Sequence, residues 1–230
     1  MTYTVRSVPD EEWAAIVAAH FHERVAPGMR ICLPTGNTTT PFYAEVARHT
    51  SLEGVEVFLL DEFGGLPDDD PGRCMSMLTR DLLSRVEGKP RVHAPDVDAS
   101  DPEHAADRYG DLITEGGLDL ALVGLGANGH IGMNEPGATV DLATRVVQLE
   151  PSTTKHAAEY GATTPPTWGI TVGMAELMEA GEVWVLVTGD HKADILNRMI
   201  HGKVDSDIPA TYLTEHTNCT VFADRSALGA

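Results

Sequence analysis

Short apolar runs alternate with longer amphipathic stretches along the whole chain, and that alternation predicts a β-α fold. Continuous apolar segments at residues 29–33, 55–60, 118–123, 170–172, 183–188 and 220–223 read as buried strands, with weaker candidates at 4–8, 91–93 and 145–149. Helical periodicity separates them. One helix runs from an Asp10 cap to about Val25, another starts near Phe42, and others cover 71–86, 101–115, 175–180 and 190–200. Such an order predicts a doubly wound, mostly parallel, Rossmann-like α/β sheet with helices on both faces. No repeat, low-complexity tract or linker interrupts it, so residues 1–230 read as a single α/β domain.

Ligands of an open α/β sheet collect beyond the carboxyl ends of its strands, which directs attention to four strand ends. The apolar run 118–123 ends in Gly124-Leu125-Gly126-Ala127-Asn128-Gly129-His130-Ile131-Gly132-Met133-Asn134-Glu135-Pro136-Gly137, a glycine hinge carrying an imidazole, two amides and a carboxylate able to orient the ring. Gly124, Gly126 and Gly129 also spell the G-x-G-x-x-G of dinucleotide sites, with Asp141 or Glu150 as the ribose acid. That fingerprint opens a regular helix, whereas this segment meets Pro136-Gly137 within a few residues, so no nicotinamide or flavin is expected. After residue 33, Pro34-Thr35-Gly36-Asn37-Thr38-Thr39-Thr40 precedes a helix. Its hydroxyls and free N–H groups suit an anion, and the absence of G-K-[ST] favours a sugar phosphate over a nucleotide. After residue 60, Asp61 and Glu62 are adjacent in an extended segment and must point in opposite directions, which leaves Asp61 as the candidate base over the sheet. After residue 188, Lys192 falls in a first helical turn, where its charge opposes the helix dipole and is best explained by an anion beside it.

Composition narrows the options. At 230 residues and 42% hydrophobic content the chain can bury a sizeable core. It holds no apolar run of the roughly 18 residues that a membrane span needs and no signal-like start, so a cytoplasmic protein is expected. Cys32, Cys74 and Cys219 are scattered, odd in number and unpaired in pattern, which fits reduced thiols and gives no zinc signature. A net charge of −19 argues against nucleic acid, and an anionic substrate would need a local cradle. The run Asp68-Asp69-Asp70 reads as a polar loop tip rather than a cation site, and Trp13, Trp168 and Trp184 read as core or interface residues.

The segments Leu33-Pro34-Thr35-Gly36-Asn37-Thr38, Leu60-Asp61-Glu62-Phe63, Gly65-Leu66-Pro67, Asn128-Gly129-His130-Ile131-Gly132-Met133-Asn134-Glu135-Pro136 and Ile170-Thr171-Val172-Gly173 resemble glucosamine-6-phosphate deaminases, in the superfamily shared with 6-phosphogluconolactonases. Lactonases share the glycine-histidine core but normally lack the Asn-Glu-Pro that follows. The resemblance implies that Asp61 moves a proton between C2 and C1 of the open-chain amino sugar. His130 would open the ring, with Glu135 and Asn128 beside it, while Thr35, Gly36, Asn37, Thr38 and Lys192 would grip the 6-phosphate. It further implies release of ammonia and fructose 6-phosphate, without metal or organic cofactor. The expected partner is a small sugar phosphate, with no nucleic acid or membrane, and a homo-oligomer is compatible with the sequence.

The chain departs from the family pattern in three places. Asn128 stands where many members have aspartate. The lid segment 152–163 carries Lys155 as its sole cation, with Tyr160 near the position of an expected arginine. Arg145 matches a cation of the allosterically regulated members, but Val147 replaces the companion lysine and their C-terminal extension is absent, so activation by an amino-sugar phosphate is not expected. The rival readings are a lactonase in which His130 activates water, and a sugar-phosphate sensor without turnover.

Overall fold

The computed structural model describes residues 3–149 and 151–230. In chain order it contains β1 (Tyr3–Val8), α1 (Trp13–Arg24), β2 (Arg30–Leu33), α2 (Thr39–His49), β3 (Glu56–Leu59), β4 (Asp61–Gly64), α3 (Cys74–Leu78), β5 (Arg91–His93), α4 (Pro102–Gly116), β6 (Leu120–Gly124), β7 (Arg145–Gln148), α5 (Pro151–Glu159), β8 (Trp168–Thr171), α6 (Met174–Glu179), β9 (Val183–Val187), α7 (Ala193–His201) and β10 (Cys219–Asp224). Seven strands form an all-parallel sheet in the order β1-β10-β9-β6-β2-β3-β5. From β2 the chain builds outward to β3 and β5, then returns to place β6 on the other side of β2. That reversal makes the crevice between β2 and β6 the topological switch point.

The strands read as unbroken apolar runs because both of their faces are covered. Ile31, Leu33, Val57, Leu59, Leu120, Leu122, Trp184 and Leu186 pack with Trp13, Phe21, Phe42 and Val46 of α1 and α2. Their sequence neighbours Cys32, Phe58, Leu60, Ala121, Val123, Val185 and Val187 pack on the opposite face with Tyr109, Leu177, Leu196 and Met199 of α4, α6 and α7. Trp13 and Trp184 are core residues, and Trp168 packs beside a small cluster of Val97, Ala106 and Ile170. Among the described residues, no helix is long and apolar enough to cross a membrane.

Several sequence expectations need correction. The segments around 145–149 and 170–172 do not join the main sheet. With β4 they form a second, antiparallel sheet in the order β4-β8-β7, where Asp61 pairs with Thr171 and Gly64 with Trp168. A β-carbon on Gly64 would meet the Trp168 indole at 2.2 Å, so this pairing tolerates only glycine. The helix expected over 71–86 begins at Cys74 and passes into a π-helical turn over Thr79–Leu83. Asp10 does not cap α1 but accepts from the amide and hydroxyl of Ser226. Asp70 is no exposed loop tip: it is buried and accepts from Gly72 and from the amide and hydroxyl of Thr163.

Candidate active site

Four neighbouring strands, β9, β6, β2 and β3, end on one side of the sheet, and the residues that follow them surround a cavity of about 420 Å³. That size is in the range of small-molecule pockets. Thr35, Gly36, Asn37 and Thr38 come from the loop after β2, Asp61 from the start of β4 just beyond β3, His130 from the loop after β6, and Lys192 from the turn after β9. All seven line the same cavity. Asn128 and Glu135, expected in the site, do not line the cavity; they stand behind His130, Asn128 against its backbone amide and Glu135 beside its ring. Glu150 and the side chain of Lys155 lie outside the described residues.

The two adjacent acids separate as strand alternation requires. Glu62 turns into the protein, where the amides of Phe63, Cys74 and Met75 donate to it at 2.8, 2.9 and 2.9 Å. Burial pushes its carboxyl up to about 7 even against those donors. Asp61 faces the cavity, and burial pushes it up to about 6, the Cys74 thiol and the His130 charge pulling partway back. A carboxylate of that proton affinity is still ionised at neutral pH and basic enough to take a proton from carbon.

His130 is held from two sides. A β-carbon on Gly126 would approach its ring carbons to 2.4–2.5 Å, so the imidazole lies flush on that glycine. Its Nδ1 is 3.4 Å from Glu135 Oε2, and its amide donates to Asn128 Oδ1 at 3.1 Å. Asn128 in turn donates to Glu135 Oε2 at 2.9 Å, and the Thr153 hydroxyl of α5 donates to Oε1. Burial alone would raise Glu135, but the His130, Thr153 and Asn128 contacts outweigh it and bring the carboxyl down to about 2. Glu135 is therefore a fixed anion, and the amide of Asn128 serves its geometry without adding charge.

At the other end, the Gly36 carbonyl accepts the amides of Thr39 and Thr40 and so closes the first turn of α2. The Thr38 hydroxyl meets that of Thr188 at 3.3 Å. Lys192 ends a short 3-10 turn, Asp190–Lys192, and stands immediately before α7. Burial lowers its proton affinity, and no carboxylate lies within ion-pair distance among the described residues. An anion brought beside it would offset that desolvation. Sequence reasoning did not single out the lining residues Thr188, Cys74 and Thr153, whereas Tyr160 falls on the lid near the position of the expected arginine. Thr188 was within reach of the strand-end argument, since it directly follows β9. Cys74 and Thr153 were not, because they arrive from α3 and α5 without a local motif.

Residues 10–222 match the family model described as glucosamine-6-phosphate isomerases/6-phosphogluconolactonase. A protein of Halalkalibacterium halodurans named glucosamine-6-phosphate deaminase is 37% identical over 88% of this chain and 86% of its own. One of Rhodopirellula baltica with the same name is 36% identical over 97% and 94%. A solved structure described as a monomeric glucosamine-6-phosphate deaminase superimposes on 100% of this chain and 99% of its own, with a TM-score of 0.91 at 29% identity. A 6-phosphogluconolactonase from Thermotoga maritima shares the fold, with a TM-score of 0.78 at 19% identity over 97% and 100%. Given the match over residues 10–222, this chain belongs to the glucosamine-6-phosphate isomerase/6-phosphogluconolactonase family.

Proposed function

We propose that this protein is an enzyme that converts glucosamine 6-phosphate and water to fructose 6-phosphate and ammonia. The observation that carries the reading is the pairing, in one cavity, of a carboxylate held near pH 6 with an imidazole backed by a fixed anion. Residues 35–38 and Lys192 hold the phosphate. His130 takes the proton of the anomeric hydroxyl and returns it to the ring oxygen, which frees the aldehyde at C1. That carbonyl acidifies the C2 hydrogen, and Asp61 removes it, leaving an enolamine between C1 and C2 as O1 takes a proton from the C2 ammonium. Asp61 gives the proton back at C1, so C2 becomes an imine. Water adds there and ammonia leaves. The substrate's own carbonyl supplies the electron sink, and the steps call on no metal or organic cofactor. The proposed setting is the cytoplasm, where the buried, unpaired Cys32, Cys74 and Cys219 stay reduced.

The Asp-and-His pair in one cavity favours carbon acid chemistry over simple hydrolysis, and the two relatives named above, at 37% and 36% identity, carry the deaminase name. The deciding measurement is a coupled assay for ammonia and fructose 6-phosphate without added metal or nucleotide, run beside 6-phosphogluconolactone hydrolysis. Ammonia release that disappears in Asp61→Asn is expected. Rapid lactone hydrolysis without ammonia release, or ligand binding without turnover of either compound, would replace the reading with a hydrolase or a sensor.

A further inference from the structure

Three consecutive threonines stand at the start of α2, and their hydroxyls have different fates. Thr39 Oγ1 donates to the Gly36 carbonyl at 2.9 Å, and Thr40 Oγ1 is shared between that carbonyl and Asp81 Oδ2 at 3.3 and 3.0 Å. Thr38 occupies the cap position of α2 without capping it by its side chain. Its hydroxyl meets that of Thr188 instead, 3.3 Å away and 150 residues along the chain. The contact bridges strands that are not neighbours. Thr38 follows β2 and Thr188 follows β9, while β6 runs between them and ends in Gly124, which contributes no side chain to the cavity floor. Thr188 is fixed from behind. The next amide, that of Gly189, donates to Asp224 Oδ2 at 2.8 Å, and the Gly189 carbonyl accepts the amide of Lys192 at 3.0 Å. One hydroxyl pair thus joins the loop 35–38 to the turn that carries Lys192, the two arms of the proposed phosphate cradle.

We propose that Thr188 is a positioning residue of that cradle, its hydroxyl donating to Thr38, whose own proton is thereby turned into the cavity toward the ligand's phosphate. Each hydroxyl has a single proton to give. If Thr38 spent its proton on Thr188, it would present only lone pairs to the anion. With the reverse direction the two hydroxyls form a chain that ends on the anion, and each hydrogen bond in such a chain strengthens the next. The pair has a second effect. Thr38 and Lys192 approach one anion from strands on opposite sides of β6, so the separation of the two arms must be held, and the hydroxyl contact holds it. The role rests on the reading of residues 35–38 and Lys192 as the phosphate cradle.

The test is a double-substitution cycle read by titration calorimetry with fructose 6-phosphate and, separately, with inorganic phosphate, with thermal melts to confirm folding. Thr188→Val keeps the shape and removes the hydroxyl. It should weaken both probes about 5-fold, raise KM by a similar factor and leave kcat within about twofold. Thr38→Val removes the donor that meets the anion and should weaken both probes about 20-fold. Because Thr188 acts through Thr38, the double variant should bind no worse than Thr38→Val, whereas independent roles would multiply to about 100-fold. Thr188→Ser returns the hydroxyl and should restore wild-type affinity within about twofold. Wild-type affinity in Thr188→Val, a multiplicative double variant, or a loss in Thr188→Ser equal to that in Thr188→Val would overturn the assignment. Failure of the wild type to bind either probe would instead remove the cradle itself, and the role of Thr188 with it.

Discussion

Asp61 and Glu62 set stability against activity. Their folded carboxyls titrate near 6 and 7, above the usual carboxylate range, so the folded state keeps protons that the unfolded chain has already released. Stability therefore falls as pH rises from about 4 through about 7, the reverse of the usual acid behaviour. Glu135, brought down to about 2, has the opposite sign: its contribution is complete above the usual carboxylate range and lost as pH falls toward 2. The melting temperature should consequently be higher at pH 5 than at pH 7.5, while kcat/KM climbs across the same interval as Asp61 ionises; parallel melts and rate profiles check both. Asp61→Asn should abolish turnover and stabilise the protein at pH 7.5 by at most about 3 kcal/mol, and a destabilised variant would contradict the burial argument. Gly126→Ala tests the proposed role of His130. Its methyl would displace the His130 ring, so kcat should drop about 10- to 100-fold with the melting temperature nearly unchanged.

The parts of the site carried on strand ends were legible in the sequence, and the parts carried on helices were not. The runs leading to Thr35, Asp61, His130 and Lys192 are apolar and end in glycine, proline or polar clusters, so strand, terminus and chemistry could be read together. The antiparallel sheet was hidden because β4 follows β3 after the single residue Leu60, and one apolar run does not reveal that its continuation belongs to another sheet. Helix α5 was hidden because its sequence, Pro-Ser-Thr-Thr-Lys-His-Ala-Ala-Glu, is short and opens on Pro, Ser and two Thr, which favour turns and caps over helix interiors. Tertiary ties hold it instead: Thr153 to Glu135, Thr154 to the Pro166 carbonyl, and Thr163 beyond its end to Asp70. The turn after α5 packs so closely that a β-carbon on Gly72 would lie 2.5 Å from the Ala162 backbone. Gly72→Ala should lift Tyr160 away from Gly36 and raise KM several-fold with kcat within about threefold, the pattern of lost ground-state binding. An unchanged KM would show that this turn does not shape the site.

Across the whole molecule, the net charge of −19 repels an anion at a distance, and Lys192, in the proposed phosphate cradle, would attract it at contact. Salt screens the two unequally, since the Debye length of about 10 Å at 0.1 M exceeds a contact distance but not the width of the protein. Raising ionic strength from about 10 to 150 mM should thus increase kcat/KM, by up to about twofold; a decline over that range would mean that the cradle dominates even the approach. The two sheets meet at Leu60, whose amide donates to Leu33 of β2 and whose carbonyl accepts from Val172 just after β8. Asp61, the proposed base, thus sits beside a rivet through both layers, with partners drawn from two remote stretches of chain. Ligand preference can drift through the loops that hang free of this joint, while the Asp61 carboxylate stays where it is.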